Sequence, residues 1–149
     1  MAKNVGDILE DKGHKLATIG PDKSVQDAVQ ILADKNIGSL VVVDKAGGLA
    51  GIITERDVLK QCAKHPEKLS QVKIGDVMTR EVMVGKSTDT LKFVQQVMTE
   101  RHIRHLPVVE GEKVVGMLSI RDVAGLLFAD TQQEADELRD RLSKHYVVV

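Results

Sequence analysis

Aromatic residues and cysteine are scarce in this sequence. Its 149 residues include no tryptophan, one tyrosine and two phenylalanines, so the 42% hydrophobic content is mainly aliphatic. A pocket for a flat organic ring must therefore be built from aliphatic and cationic side chains, because stacking partners are few. Cys62 is the only cysteine. This excludes an intramolecular disulfide and a cysteine-rich zinc site, and it suits a reducing cytosol.

An excess of charge of one sign is also lacking. The 21 basic and 22 acidic residues are interspersed and give a net charge of −1, so no basic face for general nucleic-acid binding is expected. No stretch approaches the roughly 20 apolar residues needed to cross a bilayer, and the N-terminus lacks the apolar core of a signal peptide. We predict a soluble, cytoplasmic protein without membrane insertion, folded as one compact body.

The sequence contains an internal repeat, which is the most informative feature for its fold. Three blocks occur twice in the same order: residues 5–9 and 74–78, residues 34–44 and 100–110, and residues 51–58 and 116–123. The repeat predicts two copies of one unit. We expect repeat 1 at residues 1–63, a linker at 64–73, repeat 2 at 74–128 and a C-terminal tail at 129–149.

Each copy is predicted to be a βαββα unit of mixed α/β (α+β) class. Each copy begins with a short strand, at 16–19 and 82–84. An amphipathic helix follows, with its apolar residues at helical spacing: Val25, Ala28, Val29 and Leu32 in the first copy, and Leu91, Val94, Val97 and Met98 in the second. A hairpin that turns at 45–48 or 110–113 leads to a closing helix, from 55 to about 63 and from 120 to about 128.

The tail is predicted to form a short C-terminal helix over residues 131 to about 145. Ala135, Leu138 and Leu142 give it one thin apolar stripe among many charged residues. This stripe could pack on its own chain or on a neighbouring subunit, and the pattern favours neither.

The motif Gly-apolar-apolar-Thr/Ser-x-Arg-Asp ends the hairpin in both copies, at residues 51–57 and 116–122. A strand ends at the hydroxyl residue and a helix begins directly after it, so backbone N–H groups and the positive helix end attract phosphate there. Arg56 and Arg121 add a guanidinium suited to phosphate oxygens. Asp57 and Asp122 can accept hydrogen bonds from ribose hydroxyls.

The same residues also have the form of a capping box. Thr54 with Asp57, and Ser119 with Asp122, have the spacing at which a hydroxyl and a carboxylate satisfy the first N–H groups of a helix. A cap alone does not explain the arginine before each aspartate, since a cation in the first turn opposes the helix dipole. Both interpretations remain open at this point.

These repeated segments resemble the cystathionine-β-synthase (CBS) domain. The resemblance is carried by the Ile-x-x-Leu-Pro-Val-Val segment at 103–109, by residues 115–122 after it, and by the matching block at 37–57. It extends over residues 5–127, and two such domains in tandem form a Bateman module. It implies two βαββα units that pack through their sheets with pseudo-twofold symmetry, leaving two clefts for an adenosine-containing ligand.

The resemblance also implies which residues bind the nucleotide. In one cleft Asp122 would hold the ribose, Ser119 and Arg121 the phosphate, and Arg104 and His105 the phosphate or the base. The same cleft would be completed by Met117, Ile37, Gly38 and Thr18, the last three beside the adenine. The mirror-related cleft would use Thr54, Arg56, Asp57, Ile103, Met83 and Val84.

The first copy departs from the stronger pattern of the second. Val41 stands in place of Pro107, and Gly38 and Ser39 stand in place of Arg104 and His105. The first copy therefore brings less positive charge toward a phosphate. We expect the two clefts to differ in affinity, with the cleft at Asp122 the stronger.

Two other kinds of site have little support. His102 and His105 suggest a metal site, but no cysteine or carboxylate lies nearby at ligand spacing. No nucleophile elbow, His-Glu-x-x-His pair or phosphate-binding Walker loop is present, so neither a metal nor a catalytic cofactor is expected and the protein is predicted not to be an enzyme.

The predicted function is regulatory. The ligand would be an adenine nucleotide, AMP before ADP, ATP or NAD(H), and its occupancy would report energy or redox state to a partner enzyme or transporter. The signal would be a rearrangement between repeats or within a homodimer, for which Leu126, Leu127 and Phe128 offer an apolar face. The alternatives are a scaffold with vestigial clefts and, with least support, an enzyme acting on nucleotides.

Overall fold

The computed structural model describes residues 3–12, 16–127 and 132–144. Five strands form two small sheets in these ranges: β1 (Thr18–Ile19), β2 (Ser39–Val43), β3 (Leu49–Thr54), β4 (His105–Glu110) and β5 (Lys113–Ser119). The α-helices are α1 (Val5–Asp11), α2 (Val25–Lys35), α3 (Glu55–Lys64), α4 (Ile74–Val77), α5 (Leu91–Arg101), α6 (Ile120–Leu127) and α7 (Gln132–Lys144). The predicted mixed α/β class is confirmed.

The first copy forms the complete unit expected from the repeat. Its sheet has the order β1-β2-β3, with β1 parallel and β3 antiparallel to β2. Helix α2 begins with a capping box between Ser24 and Asp27 and ends at Asn36, which adopts a left-handed conformation (φ 52°). Gly47 (φ 86°) closes the hairpin, where a positive φ favours glycine.

The second copy lacks the first strand that the repeat predicts at residues 82–84, so this prediction is wrong. In place of that strand, a single residue, Gly85, pairs with β4 in an isolated parallel bridge to Val108. In the first copy the Val41 N–H donates to the Ala17 carbonyl at 3.2 Å and extends the pairing toward the start of β1. Pro107 occupies the position of Val41 and has no N–H, so this hydrogen bond cannot form and the strand is lost.

The N-terminal segments of the two copies are exchanged. Helix α1 precedes the first copy but packs in the core of the second, where Val5, Ile8 and Leu9 join Leu91, Val94, Met98, Leu106, Val108, Leu118 and Val123. Helix α4 and Met78 instead pack in the core of the first copy, with Ile19, Ala28, Leu32, Leu40, Val42 and Ile53. Each core therefore needs a segment from the other copy. The division at residues 63 and 74 stays a prediction.

Two glycines permit this exchange. A Cβ on Gly116 in β5 would lie 2.5 Å from Leu9 Cδ2, so α1 lies directly against the second sheet. A Cβ on Gly51 in β3 would lie 2.6 Å from the Thr79 carbonyl oxygen. The Ile52 N–H donates to that same oxygen at 3.0 Å, and the Thr79 N–H donates to the Ile52 carbonyl at 2.9 Å. The segment after α4 is thus hydrogen-bonded to β3.

The two sheets pack face to face. Leu40, Val42 and Ile53 point into their own core, whereas Val41 and Ile52 on the opposite face are also buried and belong to neither core. Such burial is expected of a sheet face that a second sheet covers. A backbone bridge between Gly48 and Lys113 joins the two hairpins. The layered arrangement implied by the CBS resemblance is therefore observed.

The remaining segments follow the sequence expectations in outline. The predicted linker contains a short 3₁₀ turn at Leu69–Gln71, and the Val25 N–H donates to the Val72 carbonyl at 2.8 Å. The tail forms helix α7, with Leu142 exposed. The side chains of Ala135, Leu138, Leu126 and Leu127, and the whole of Phe128, lie outside the described residues. Among the described residues, no helix has the length and apolar character that a membrane span requires.

We predict that Gly51→Ala destabilises the protein by about 1–3 kcal/mol, because the new methyl group would push the Thr79 backbone away from β3. The free energy of unfolding, measured by urea denaturation, checks this. Gly20→Ala is the control, since a Cβ at Gly20 has no neighbour within 4 Å. Equal stability of the two variants would contradict the proposed role of Gly51.

Candidate functional site

The two strand-to-helix corners form capping boxes, as the capping interpretation predicts. In the first copy the Asp57 N–H donates to Thr54 Oγ1 at 3.3 Å, and the Thr54 N–H donates to Asp57 Oδ2 at 2.9 Å. In the second copy the corresponding distances between Ser119 and Asp122 are 3.2 and 2.8 Å. Both aspartates therefore stabilise the start of their own helix.

Capping occupies only one oxygen of each aspartate. Thr54 donates to Asp57 Oδ2 through both its N–H and its hydroxyl, and Ser119 does the same to Asp122 Oδ2. No residue of the described ranges donates to Oδ1 of either carboxylate. A carboxylate has about two acceptor positions on each oxygen. A cap therefore leaves room for a hydroxyl donor from a ligand.

The helix ends offer fewer free amides than the sequence suggested. The Glu55 N–H donates to the Gly38 carbonyl at 3.0 Å, and the Ile120 N–H donates to the Arg104 carbonyl at 2.8 Å. The amides of Asp57 and Asp122 are taken by the caps. Two N–H groups of each first turn are thus satisfied within the chain, so attraction of an anion depends mainly on side-chain cations.

A cleft of about 1190 Å³ opens between the two copies beside the Asp122 corner. Seven of the predicted binding residues line it: Ile37, Gly38, Arg104, His105, Met117, Ser119 and Arg121. Asn36 turns the chain from α2 into this cleft, because its left-handed conformation ends the helix there. The structure therefore brings the end of α2 in one copy to the arginine-bearing corner of the other.

The structure places Thr18 elsewhere. Its side chain lines a smaller hollow on the outer side of the first copy, with Asp27 and Gln30 of α2. Leu16 and Ala17 line the cleft instead. In an extended segment successive side chains point to opposite faces, so a shift of one residue decides which face is used.

Sequence reasoning missed three charged residues of the cleft, Lys12, Lys35 and Glu55. The Lys12 ammonium donates to Asp122 Oδ2 at 2.7 Å and to the Met117 carbonyl at 3.0 Å. Only the exchange of α1 brings Lys12 to the second copy, and no local pattern signals this. Glu55 lies inside the repeated motif, where Ile120 is its counterpart, and that difference was a signal available in the sequence.

The ion pair with Lys12 makes Asp122 a stronger acid. Burial alone would raise the pKa of Asp122, but hydrogen bonds from Lys12 and from the Ser119 N–H and hydroxyl, with the positive charge of Lys12, hold the pKa below its ordinary value. The side chains of Lys12 and Asp122 are 34% and 21% exposed. The carboxylate is thus charged and only partly screened by water.

His105 lies between charges of both signs in the cleft. Burial lowers its pKa, and the positive charges of Arg104 and Lys12 act in the same direction, whereas Glu55 and Asp122 oppose them. The imidazole is therefore mainly neutral near pH 7. A Cβ on Gly38 would lie 3.2 Å from His105 Nε2 and would also clash with the Glu55 carboxylate. Among the described residues, no group of three or more His, Cys, Asp or Glu is arranged to hold a metal ion.

The mirror-related corner has a different environment. Thr54 and Asp57 form the cap described above, but Met83 and Val84 belong to no strand and are each 41% exposed. Counting along the sequence from the matched residues 5–9 and 74–78, Glu81 corresponds to Lys12, although α4 ends at Val77 whereas α1 continues to Asp11. A carboxylate thus replaces the ammonium in this part of the repeat.

The family model for the CBS domain matches residues 5–64 and residues 74–129. The chain belongs to the CBS-domain family. Its two CBS domains form the pair expected from the repeat. Each match begins with the short helix that packs on the other CBS domain, α1 or α4.

Known relatives share most of this CBS pair. The CBS domain-containing protein CBSX3, mitochondrial, of Arabidopsis thaliana is 34% identical over 152 aligned residues, which cover 95% of this chain and 73% of that protein. The crystal structure of the CBS-domain containing protein ATU1752 from Agrobacterium tumefaciens is 36% identical with a TM-score of 0.78, covering 83% of this chain and 92% of that one.

Three of the similar solved CBS structures contain adenosine derivatives, two of protein MJ0100 and one of CBSX2. The CBS domain pair of protein MJ0100, in complex with 5′-methylthioadenosine and S-adenosyl-L-methionine, is 30% identical with a TM-score of 0.72, covering 85% of this chain and 97% of that one. CBSX2 in complex with AMP is 26% identical with a TM-score of 0.70, covering 93% of this chain and 99% of that one.

We predict that Asp122→Asn lowers stability at pH 7 by about 1 kcal/mol, because it removes the charge that pairs with Lys12. Since folding lowers the pKa of Asp122, its contribution is present above the unfolded pKa and is lost as the pH falls through the folded pKa. The difference from the unmodified protein should therefore shrink below about pH 4, the ordinary aspartate range.

Urea unfolding at a series of pH values measures this difference. Asp57→Asn is the matched variant, because Asp57 has the same cap without an ion pair to a lysine among the described residues. Asp57→Asn should lose less free energy of unfolding at pH 7 than Asp122→Asn. A loss for Asp122→Asn that is equal at pH 7 and pH 3 would argue against the ion pair as its cause.

Proposed function

We propose that this CBS pair is a non-enzymatic regulatory module that binds an adenine nucleotide in the cleft beside Asp122. AMP is the ligand that we favour over ADP, ATP and NAD(H). One observation carries the proposal: this cleft brings an apolar wall from one domain to two arginines of the other, and two residues that line it, Lys12 and Ser119, hydrogen-bond to the Asp122 carboxylate. Its volume of about 1190 Å³ is ample for a nucleotide.

Each part of a nucleotide finds suitable chemistry there. Ile37, Ala17 and Leu16 offer an aliphatic surface for the adenine. The Asp122 carboxylate, which hydrogen-bonds to Lys12 and Ser119 of the cleft lining, has an oxygen that can accept from a ribose hydroxyl. Arg104 and Arg121 offer guanidinium groups to a phosphate. The neutral imidazole of His105 can donate to the base or the phosphate without adding charge.

The CBS relatives support this ligand class. CBSX2 was solved with AMP, and the MJ0100 domain pair with two other adenosine derivatives. These proteins share the fold and about a quarter to a third of their residues with this chain. We therefore assign the adenosine moiety first, and AMP among its derivatives because of the arginines of the cleft.

We assign the stronger site to the Asp122 cleft and a weaker one to the mirror-related corner. Thr54, Arg56 and Asp57 repeat the motif there, with Ile103 as the counterpart of Ile37. Gly38 and Ser39 replace Arg104 and His105, and Glu81 replaces Lys12. The mirror site therefore has less positive charge for a phosphate.

The output is proposed to be a change in the angle between the domains or between two chains of a homodimer, read by a partner enzyme or transporter. A ligand shifts such an equilibrium only if it binds the two arrangements with different affinity, and a ligand in contact with both domains satisfies this condition. Helix α3 has no buried residue, and Leu59 is 69% exposed, which supports an intersubunit role for this face. The single cysteine is compatible with work in the reducing cytosol.

A structural scaffold is the second candidate, and the capping boxes favour it. Both aspartates stabilise their own helices, which is sufficient reason for their presence in a protein that binds nothing. Calorimetry of the purified protein with AMP, ATP and NADH separates the two functions. Absence of heat and of a thermal shift with all three would favour the scaffold.

We predict that Asp122→Ala weakens AMP binding by about 1.5–3 kcal/mol, because hydrogen bonds to a charged carboxylate are lost. Isothermal titration calorimetry measures the change. Asp27→Ala is the matched control: Asp27 forms the same capping box with Ser24 but lines the outer hollow instead of the cleft. The Asp27→Ala variant should lose stability and keep the AMP affinity of the unmodified protein. Unchanged affinity of the folded Asp122→Ala variant would show that the sugar is not held there.

A further inference from the structure

Lys12 already occupies the carboxylate that we assign to the ribose. Its ammonium donates to Asp122 Oδ2 at 2.7 Å, an oxygen that also accepts from the Ser119 N–H at 2.8 Å and the Ser119 hydroxyl at 2.9 Å. One carboxylate oxygen has about two acceptor positions. Oδ2 is therefore saturated, and a ribose that places one hydroxyl on each oxygen of this carboxylate must displace one of these donors from Oδ2.

Lys12 is the donor that can leave. The two Ser119 groups belong to the cap of α6, on which the start of that helix depends. The Lys12 side chain is 34% exposed and carries its charge on a flexible four-carbon stem. The backbone that bears it is held in place, because Leu9 packs against Gly116 in the core of the second domain. Movement is thus confined to the side chain.

A displaced ammonium needs a new anionic partner. Lys12 lines the same cleft as Arg121 and Arg104, the groups proposed to hold phosphate. A ligand phosphate within hydrogen-bonding distance of the Lys12 ammonium would replace the lost carboxylate as its anionic partner. An unphosphorylated nucleoside offers no such group. The loss of the Lys12–Asp122 pair therefore opposes nucleosides more than nucleotides.

We propose that Lys12 is a specificity-determining residue: ligand binding transfers its ammonium from Asp122 to a phosphate, which makes the cleft selective for 5′-phosphorylated nucleosides over unphosphorylated ones. This inference rests on the proposed function of the same cleft. The mirror-related corner lacks this selection, because no lysine of the described residues donates to Asp57 there.

The test compares adenosine and AMP as probes of the full chain carrying Lys12→Met. Adenosine should bind this variant about threefold to tenfold more tightly than it binds the unmodified protein, because Asp122 is then free of its internal partner. AMP should bind the variant as tightly as it binds the unmodified protein, or more weakly. The ratio of AMP affinity to adenosine affinity should fall about tenfold, measured by calorimetry at fixed ionic strength. Lys12→Gln provides a second, more polar variant in case the methionine disturbs folding.

Lys3→Met is the matched control. Lys3 lies just before α1 and pairs with Asp11 on the exposed surface at 3.1 Å, away from the cleft. The ratio of AMP affinity to adenosine affinity of Lys3→Met should equal that of the unmodified protein.

The outcomes separate this inference from the proposed function. If the unmodified protein binds AMP but adenosine affinity does not rise in either Lys12 variant, the transfer of the ammonium is wrong and the nucleotide site stands. If the unmodified protein and every variant bind neither probe, the proposed function fails and the role of Lys12 fails with it.

Discussion

The exchange of the N-terminal segments is the constraint on which the rest of this structure depends. Val5, Ile8 and Leu9 complete the core of the second CBS domain, and Ile74 and Met78 complete that of the first. Because neither core is complete without a segment from the other copy, the two domains stabilise each other and cannot separate without exposing apolar surface. The cleft between them is therefore present whenever both cores are intact, and a ligand that contacts both domains acts on one cooperative body.

The same exchange makes the two halves of a symmetric fold chemically different. It brings the residue that follows α1 to the second domain, where Lys12 pairs with Asp122. At the corresponding place after α4 the sequence has Glu81. The repeat also differs at Arg104 and His105, which replace Gly38 and Ser39. Duplication thus supplied two corners with the same cap hydrogen bonds, and substitutions at a few positions left fewer cations in the first copy.

The corner motif caps a helix and still leaves a hydrogen-bond acceptor unused. Asp122 uses Oδ2 to cap α6, and its other oxygen accepts nothing from the described part of the chain. Since the cap fixes the orientation of the carboxylate, the residue that stabilises the helix is the one that we propose to hold the ribose. This explains how a single motif can have the form of a helix cap and of a ribose site. In the proposed site, the stability of α6 and the affinity for a ribose depend on the same side chain.

The sequence by itself determined the repeat, the elements of each unit and the motif at both corners, because hydrophobic periodicity and caps are local properties. It also contained the reason for the missing strand at residues 82–84, namely the absent N–H of Pro107, although the strand was expected there. Only the tertiary structure decided which copy each N-terminal helix completes, that Leu16 and Ala17 rather than Thr18 line the cleft, and that Lys12 reaches Asp122. These outcomes depend on contacts between residues as far apart as positions 12 and 122, and no local pattern encodes such a contact.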